Sequence, residues 1–177
     1  MKTTLSIAVS ALLLSSSIQA LAGPEDFIPG PLIKDFGQYA PVPEAAAIPE
    51  DMVIKMAYDA RDGGVHNEIN GTFNSVAGLM NTLVASGVEK ERIQLAIVIH
   101  GPAYRDILTN EAYGGKNPNV PLLEALLENG VRIYYCGQAA VYRDVALKEV
   151  VPGIQFSHSA SAAHAVLQME GYGVRPY

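Results

Sequence analysis

The segment Ile93-Gln94-Leu95-Ala96-Ile97-Val98-Ile99 carries six apolar residues in seven, four of them β-branched. A strand wetted on one face alternates apolar and polar residues, whereas a nearly continuous run of this kind is what burial on both faces requires. Such a strand belongs inside a sheet covered by helices on both sides, and the flanking sequence has to supply them. Met52 to Tyr58 reads as a preceding strand that ends near Asp59, with Gly63-Gly64 breaking the chain after it. Phe73, Val76, Ala77, Met80, Leu83 and Val84 recur at helical spacing and predict a helix over about 68–86, closed by Gly87.

The alternation continues beyond the central run. His100-Gly101-Pro102 ends the strand, and Pro102 suits the first turn of a helix carrying Tyr104, Ile107 and Leu108. A polar, Gly-rich loop over 110–119 leads to a helix built on Pro121, Leu122, Leu123, Leu126 and Leu127, capped by Asn119 and stopped at Asn129-Gly130. Val131 to Tyr135 is a third strand. Cys136-Gly137-Gln138 turns the chain into a helix over about 139–145, and a short strand at 154–156, a helix at 160–169 and a last strand at 172–174 complete the series. The expected fold class is α/β: three layers, with a mainly parallel sheet and helices on both faces.

Two segments precede this domain. Lys2, the apolar stretch Leu5 to Leu14, the serines at 15–17 and Ala20-Leu21-Ala22 follow the order of a secretory signal peptide, which places residues 1–22 in a cleaved leader. The apolar run is short of the roughly 18–20 residues that a membrane span requires, and nothing after it is long enough either. Residues 23–50 hold six of the eleven prolines and little hydrophobic periodicity, so they read as an extended arm, disordered or laid across a neighbouring subunit. The α/β domain then occupies 51–177. A domain of this size buries about 70% of the surface its unfolded chain exposes and needs no disulfide or metal staple. The net charge of −6, made more negative by loss of Lys2, offers no general attraction for nucleic acid or anionic lipid.

Cysteine usage narrows the chemistry. A periplasmic or secreted protein with a single cysteine cannot form an internal disulfide in a compartment that favours one. In an open parallel sheet, ligands bind outside the carboxyl ends of the strands, and His100 and Cys136 end the second and third strands. Cys136 also precedes a helix start, where unpaired N–H groups favour an anion and a thiol is readily deprotonated. Gly137 lets backbone amides approach the sulfur. His100 is a candidate to stabilise the thiolate or an anionic substrate, and Arg61 and Arg105, each just past a strand end, are weaker candidates to hold an anion. His158 and His164 lack a supporting cysteine or acidic pair, so no metal site is expected. No Cys-x-x-Cys, Gly-x-Gly-x-x-Gly or phosphate-loop pattern occurs, and no cofactor is expected. Asn70-Gly71-Thr72 matches a glycosylation sequon, a pattern short enough to arise by chance.

The segments Val98-Ile99-His100-Gly101-Pro102-Ala103, Asn117-Pro118-Asn119, Tyr135-Cys136-Gly137-Gln138-Ala139, Pro152-Gly153-Ile154 and Gly171-Tyr172 together resemble the DsrE/DsrF-like family. The likeness runs over roughly Met52 to Val174, and the cysteine segment is its most specific part. It implies a YchN-like fold, assembly into trimers or hexamers, and a cysteine that carries sulfur as a persulfide. That position carries over to Cys136; His100, Gly137 and Gln138, at the same strand ends, are the residues expected to line the substrate. The expected function is therefore an exported sulfur carrier or sulfurtransferase-like protein, whose sulfur donor and acceptor the sequence does not name. The alternatives are a non-catalytic small-ligand-binding or assembly protein in which Cys136 only packs, and a redox protein in which Cys136 pairs with another chain.

Overall fold

The computed structural model describes residues 23–175, so the leader expected over 1–22 lies outside the described residues. Five strands, β1 (Ile54–Ala60), β2 (Ile93–Ile99), β3 (Arg132–Cys136), β4 (Gln155–Ser157) and β5 (Gly173–Arg175), form one sheet in the order β4-β3-β2-β1-β5. Every pairing in it is parallel. The helices are α1 (Gly71–Ala85), α2 (Asn110–Tyr113), α3 (Val120–Glu128), α4 (Gly137–Arg143) and α5 (Ala160–Met169). The apolar run at 93–99 is the central strand, as its composition requires.

The two faces of the sheet are covered unequally. Tyr58, Leu95, Ile97, Ile99, Ile133 and Tyr135 point into the larger core, against Phe73, Val76 and Met80 of α1 and Leu122, Leu123 and Leu126 of α3. The alternate residues Ala57, Ala96 and Val98 meet Ala163 and Leu167 of α5 together with Tyr172. Small residues on β1 and β2 let α5 lie close to the sheet, and the hydrogen-bonded ion pair of Arg132 with Glu170 ties the end of α5 to β3. Tyr135, fully buried on the α1/α3 side, has its phenol pushed up to about 12 by that burial.

Helix ends deliver the strands. After α3, Gly130 takes a left-handed φ of +83°, its N–H bonds Leu127 O, and Val131 N bonds Leu126 O at 3.0 Å. This six-to-one closure turns the chain directly into β3. Gly171 repeats it after α5, with Tyr172 N on Leu167 O at 2.9 Å. At the other ends, Asn70 Oδ1 accepts from Thr72 N and Ser159 Oγ from Ala162 N, so both α1 and α5 carry side-chain caps.

Three local expectations are corrected. Asn119 does not cap α3 through its side chain; its Oδ1 instead accepts from Asn70 N at 2.7 Å, a buried donor with a stronger need of a partner. The loop at 110–119 contains the short helix α2, capped by Thr109. The segment after His100 is a 3-10 helix, Gly101–Ile107.

The proline-rich arm packs on its own chain. Ile33 is buried, and Asn81 of α1 clasps the arm: its Oδ1 accepts from Leu32 N and Ile33 N while its Nδ2 donates to the carbonyls of Ile33, Phe36 and Gly37. A side chain at Gly37 would fall 2.2 Å from the backbone of α1, so the arm approaches as closely as a backbone can. Proline removes backbone donors, and the polar groups that remain are met by Asn81, by Asn74 Oδ1, which accepts from Gly37 N, and by the paired backbones of Ile28 and Tyr39.

Candidate functional site

Parallel strands with matched register bring their carboxyl ends to one edge. Ile99 pairs with Tyr135, and the next residues, His100 and Cys136, both keep extended backbones. They therefore stand abreast on neighbouring strands, about 4.8 Å apart in the hydrogen-bonding direction. Each lies two residues beyond a residue of the α5 face, Val98 or Tyr134, so both belong to that face. Asp59, in register with Val98, is on the same face one strand further along.

Asp59 is the hub of the site. Its Oδ1 lies 3.0 Å from His100 Nε2 and 2.9 Å from His164 Nε2, the latter from α5, and its Oδ2 is 3.2 Å from His100 Nε2. The three groups come from β1, the end of β2 and α5, and their side chains are 23%, 27% and 16% exposed. Burial pushes the Asp59 carboxyl up, but the hydrogen bonds from His164 and His100 and their charges outweigh it and hold the group below its ordinary value of 3.8. An ionised carboxylate only accepts, so each Nε2 carries the hydrogen and, in the neutral ring, each Nδ1 carries the lone pair. His164 Nδ1 is buried without a partner.

Cys136 is a free thiol, 7% exposed. It precedes α4, but its side chain makes no cap hydrogen bond to that seven-residue helix, so the helix start does not hold the sulfur. Gly137 has a different reason for being glycine than access to sulfur: a Cβ there would fall 2.5 Å from Ser157 O, so its absence lets the turn pack against β4. Gln138 Nε2 donates to His158 O at 3.4 Å, bridging α4 to the entry of α5.

The weaker candidates lie elsewhere. Arg61 is exposed and reaches Asp62 at 3.4 Å. Arg105 lines a separate cleft with Arg143, His66, Tyr113 and Tyr104, whose hydroxyl is drawn below the usual phenol range by Arg105. Asn70 of the sequon is buried, and its Nδ2 donates to Asp62 O and Asp106 Oδ2, so the folded chain offers no nitrogen to a glycan. Among the described residues no set of three His, Cys, Asp or Glu side chains is arranged to hold a metal ion.

Neither Asp59 nor His164 is among the site residues that the sequence predicts. The signal for His164 was present: it lies on the buried stripe Ala160, Ala163, Leu167 of α5 and is its one polar residue. The signal for Asp59 was its place at a strand end beside the strand that ends in His100.

The family model described as DsrE/DsrF-like matches residues 62–174. The chain belongs to the DsrE/DsrF-like family. The family is associated with sulfur relay. Two solved structures share the fold. A protein of unknown function from Methanobacterium thermoautotrophicum is 10% identical with a TM-score of 0.54, the match covering 70% of this chain and 99% of that one. YchN of E. coli is 15% identical with the same TM-score of 0.54 and the same coverage of both chains. The five-stranded parallel sheet with helices on both faces is therefore a YchN-like α/β fold. No curated protein matches this DsrE/DsrF-like chain significantly.

Proposed function

We propose that this protein carries sulfane sulfur as a persulfide on Cys136 and passes it to an acceptor thiol. The observation that supports this reading most is the place of the single cysteine: in a family of sulfur relay, it ends an inner strand at the sheet edge where parallel folds bind their ligands. A carrier of this kind needs a nucleophilic, reachable sulfur and no metal. The leader-like order of the first 22 residues supports work in the periplasm or outside the cell, where a persulfide is a reversible cap on a lone thiol. Assembly as a homo-oligomer, a trimer or hexamer, belongs to the same reading.

A second reading draws on a different feature. Between α5 and the β3–β4 end of the sheet lies a groove of about 370 Å³, lined mainly by Tyr134, Phe156, Ala163, Val166 and Leu167, with Arg132 and His158 also in its lining. It suits a small apolar ligand, with Cys136 as a packing residue.

The intact mass of protein purified without reductant separates the two. A gain of one or more sulfur atoms that reductant removes, and that is absent from Cys136→Ser, is the expected result. A mass that stays unmodified after exposure to polysulfide sinks the carrier reading and leaves ligand binding in front.

A further inference from the structure

We infer that Asp59, His100 and His164 form a proton-handling unit for Cys136, with His100 as the acid–base group and a hydropersulfide, R–S–SH, as the class of donor it serves. This rests on the carrier reading above.

The two histidines are not equivalent, and the difference assigns their roles. Both give Nε2–H to the same carboxylate oxygen. His164 then has its remaining nitrogen sealed in the protein, so it cannot exchange a proton with a substrate. Its effect is to fix Asp59 from α5. His100 is the more exposed ring, its Nδ1 is not sealed, and it stands beside Cys136 on the same face of the sheet. A nucleophile, a base and a carboxylate that orients the base through its other nitrogen is the arrangement that activates weak nucleophiles on many folds. Asp59 and His164 are positioning residues in this scheme.

The step is balanced without an oxidant. His100 Nδ1 takes the proton of the Cys136 thiol, directly or through one water. The thiolate attacks the outer sulfur of R–S–SH, forming the Cys136 S–S bond as the donor S–S bond breaks. The leaving RS⁻ takes the proton back from the His100 imidazolium, which Asp59 stabilises while it exists. The products are Cys136–S–SH and R–SH, and the transferred sulfur keeps its oxidation state.

The test follows sulfur uptake from glutathione persulfide by the full chain, with alkylation by iodoacetamide in parallel. His100→Gln is expected to slow sulfur uptake by roughly 100-fold, the scale of general acid–base catalysis, and Asp59→Asn by about 10-fold. Added imidazole restores part of the rate to His100→Ala, a response that damage to folding does not give. His164→Gln lowers the rate less than Asp59→Asn; thermal melts identify any variant that has not folded, and imidazole rescue of folded His100→Ala then decides. Uptake by His100→Gln within twofold of wild type, or no response to imidazole, overturns the inference. Wild-type protein that accepts no sulfur overturns the carrier reading instead. Alkylation still reads the unit in that case: a drop in His100→Gln retains it, and an unchanged rate removes it.

Discussion

Asp59 and Asp106 lie near the carboxyl ends of adjacent strands, one as the next-to-last residue of β1 and one in the 3-10 helix after β2, yet their surroundings differ in kind. Asp106 is 5% exposed, and its Oδ2 accepts from Gly64 N and Asn70 Nδ2, both at 2.7 Å. The network runs on through neutral amides: Asn119 accepts from Asn70 N, Asn117 accepts from Asn119 N, and Asn117 donates to the carbonyls of Asp106 and Leu108. These bonds pin three loops over the sheet edge. The partners of Asp59 are two imidazoles, groups that exchange protons near neutral pH, at a partly open surface. A buried polar set whose members are satisfied by neutral partners rigidifies; a half-open set of titratable groups beside a thiol is arranged for chemistry.

The largest effect that sharpens this contrast is expected at the frame. Asp106→Ala removes the acceptor of the part-buried Gly64 N and one of the two acceptors of the buried Asn70 Nδ2, and should cost about 2–4 kcal/mol, read by denaturant unfolding. A cost no greater than that of Asp59→Asn would break the contrast. Asp59→Asn should cost about 1 kcal/mol or less at neutral pH, because the group is partly solvated. The pH dependence has a defined sign. The carboxyl is held below its ordinary 3.8 in the folded chain, so its ionised form contributes stability above that value. The contribution is lost as the pH falls through the lowered folded-state value, and the stability curves of wild type and Asp59→Asn should converge there. Curves that stay parallel into strong acid would show that the two histidines do not favour the ionised group. The smallest effect is expected at Arg61, exposed on the same edge: Arg61→Ala should change stability by less than about 0.5 kcal/mol and leave sulfur uptake unchanged.

What could be read from the sequence follows from the range of each interaction. The run 93–99 and the helix at 160–169 were read to the residue, because their signals are local periodicity and punctuation. β3 lies one residue later and α4 two residues earlier than the sequence predicts: Cys136 is the last residue of the strand, and the helix starts at once at Gly137. The local signal there is ambiguous, and contact of the turn with Ser157 decides it. Cys136 and His100 were singled out from their positions, but their adjacency depends on strand order. The clustering of Asp59 with His164 joins residues 105 apart and has no local trace. The arm, expected to be extended and either disordered or laid across a neighbour, instead bends back onto its own α1, a seat that depends on Asn74 and Asn81, polar residues seven apart on that helix.

Strand order also bears on where this domain can be cut. The family match begins at residue 62, after β1 has ended, yet β1 lies between β2 and β5 in the sheet. A chain trimmed to the matched span would leave β5 detached from its neighbour and the backbone of β2 open along its whole length. That is an unprotected seam of hydrogen-bonding groups, able to template another chain. Such a fragment should self-associate, and it would lack Asp59 as well, so a poorly behaved or inert truncation would say nothing about the intact protein.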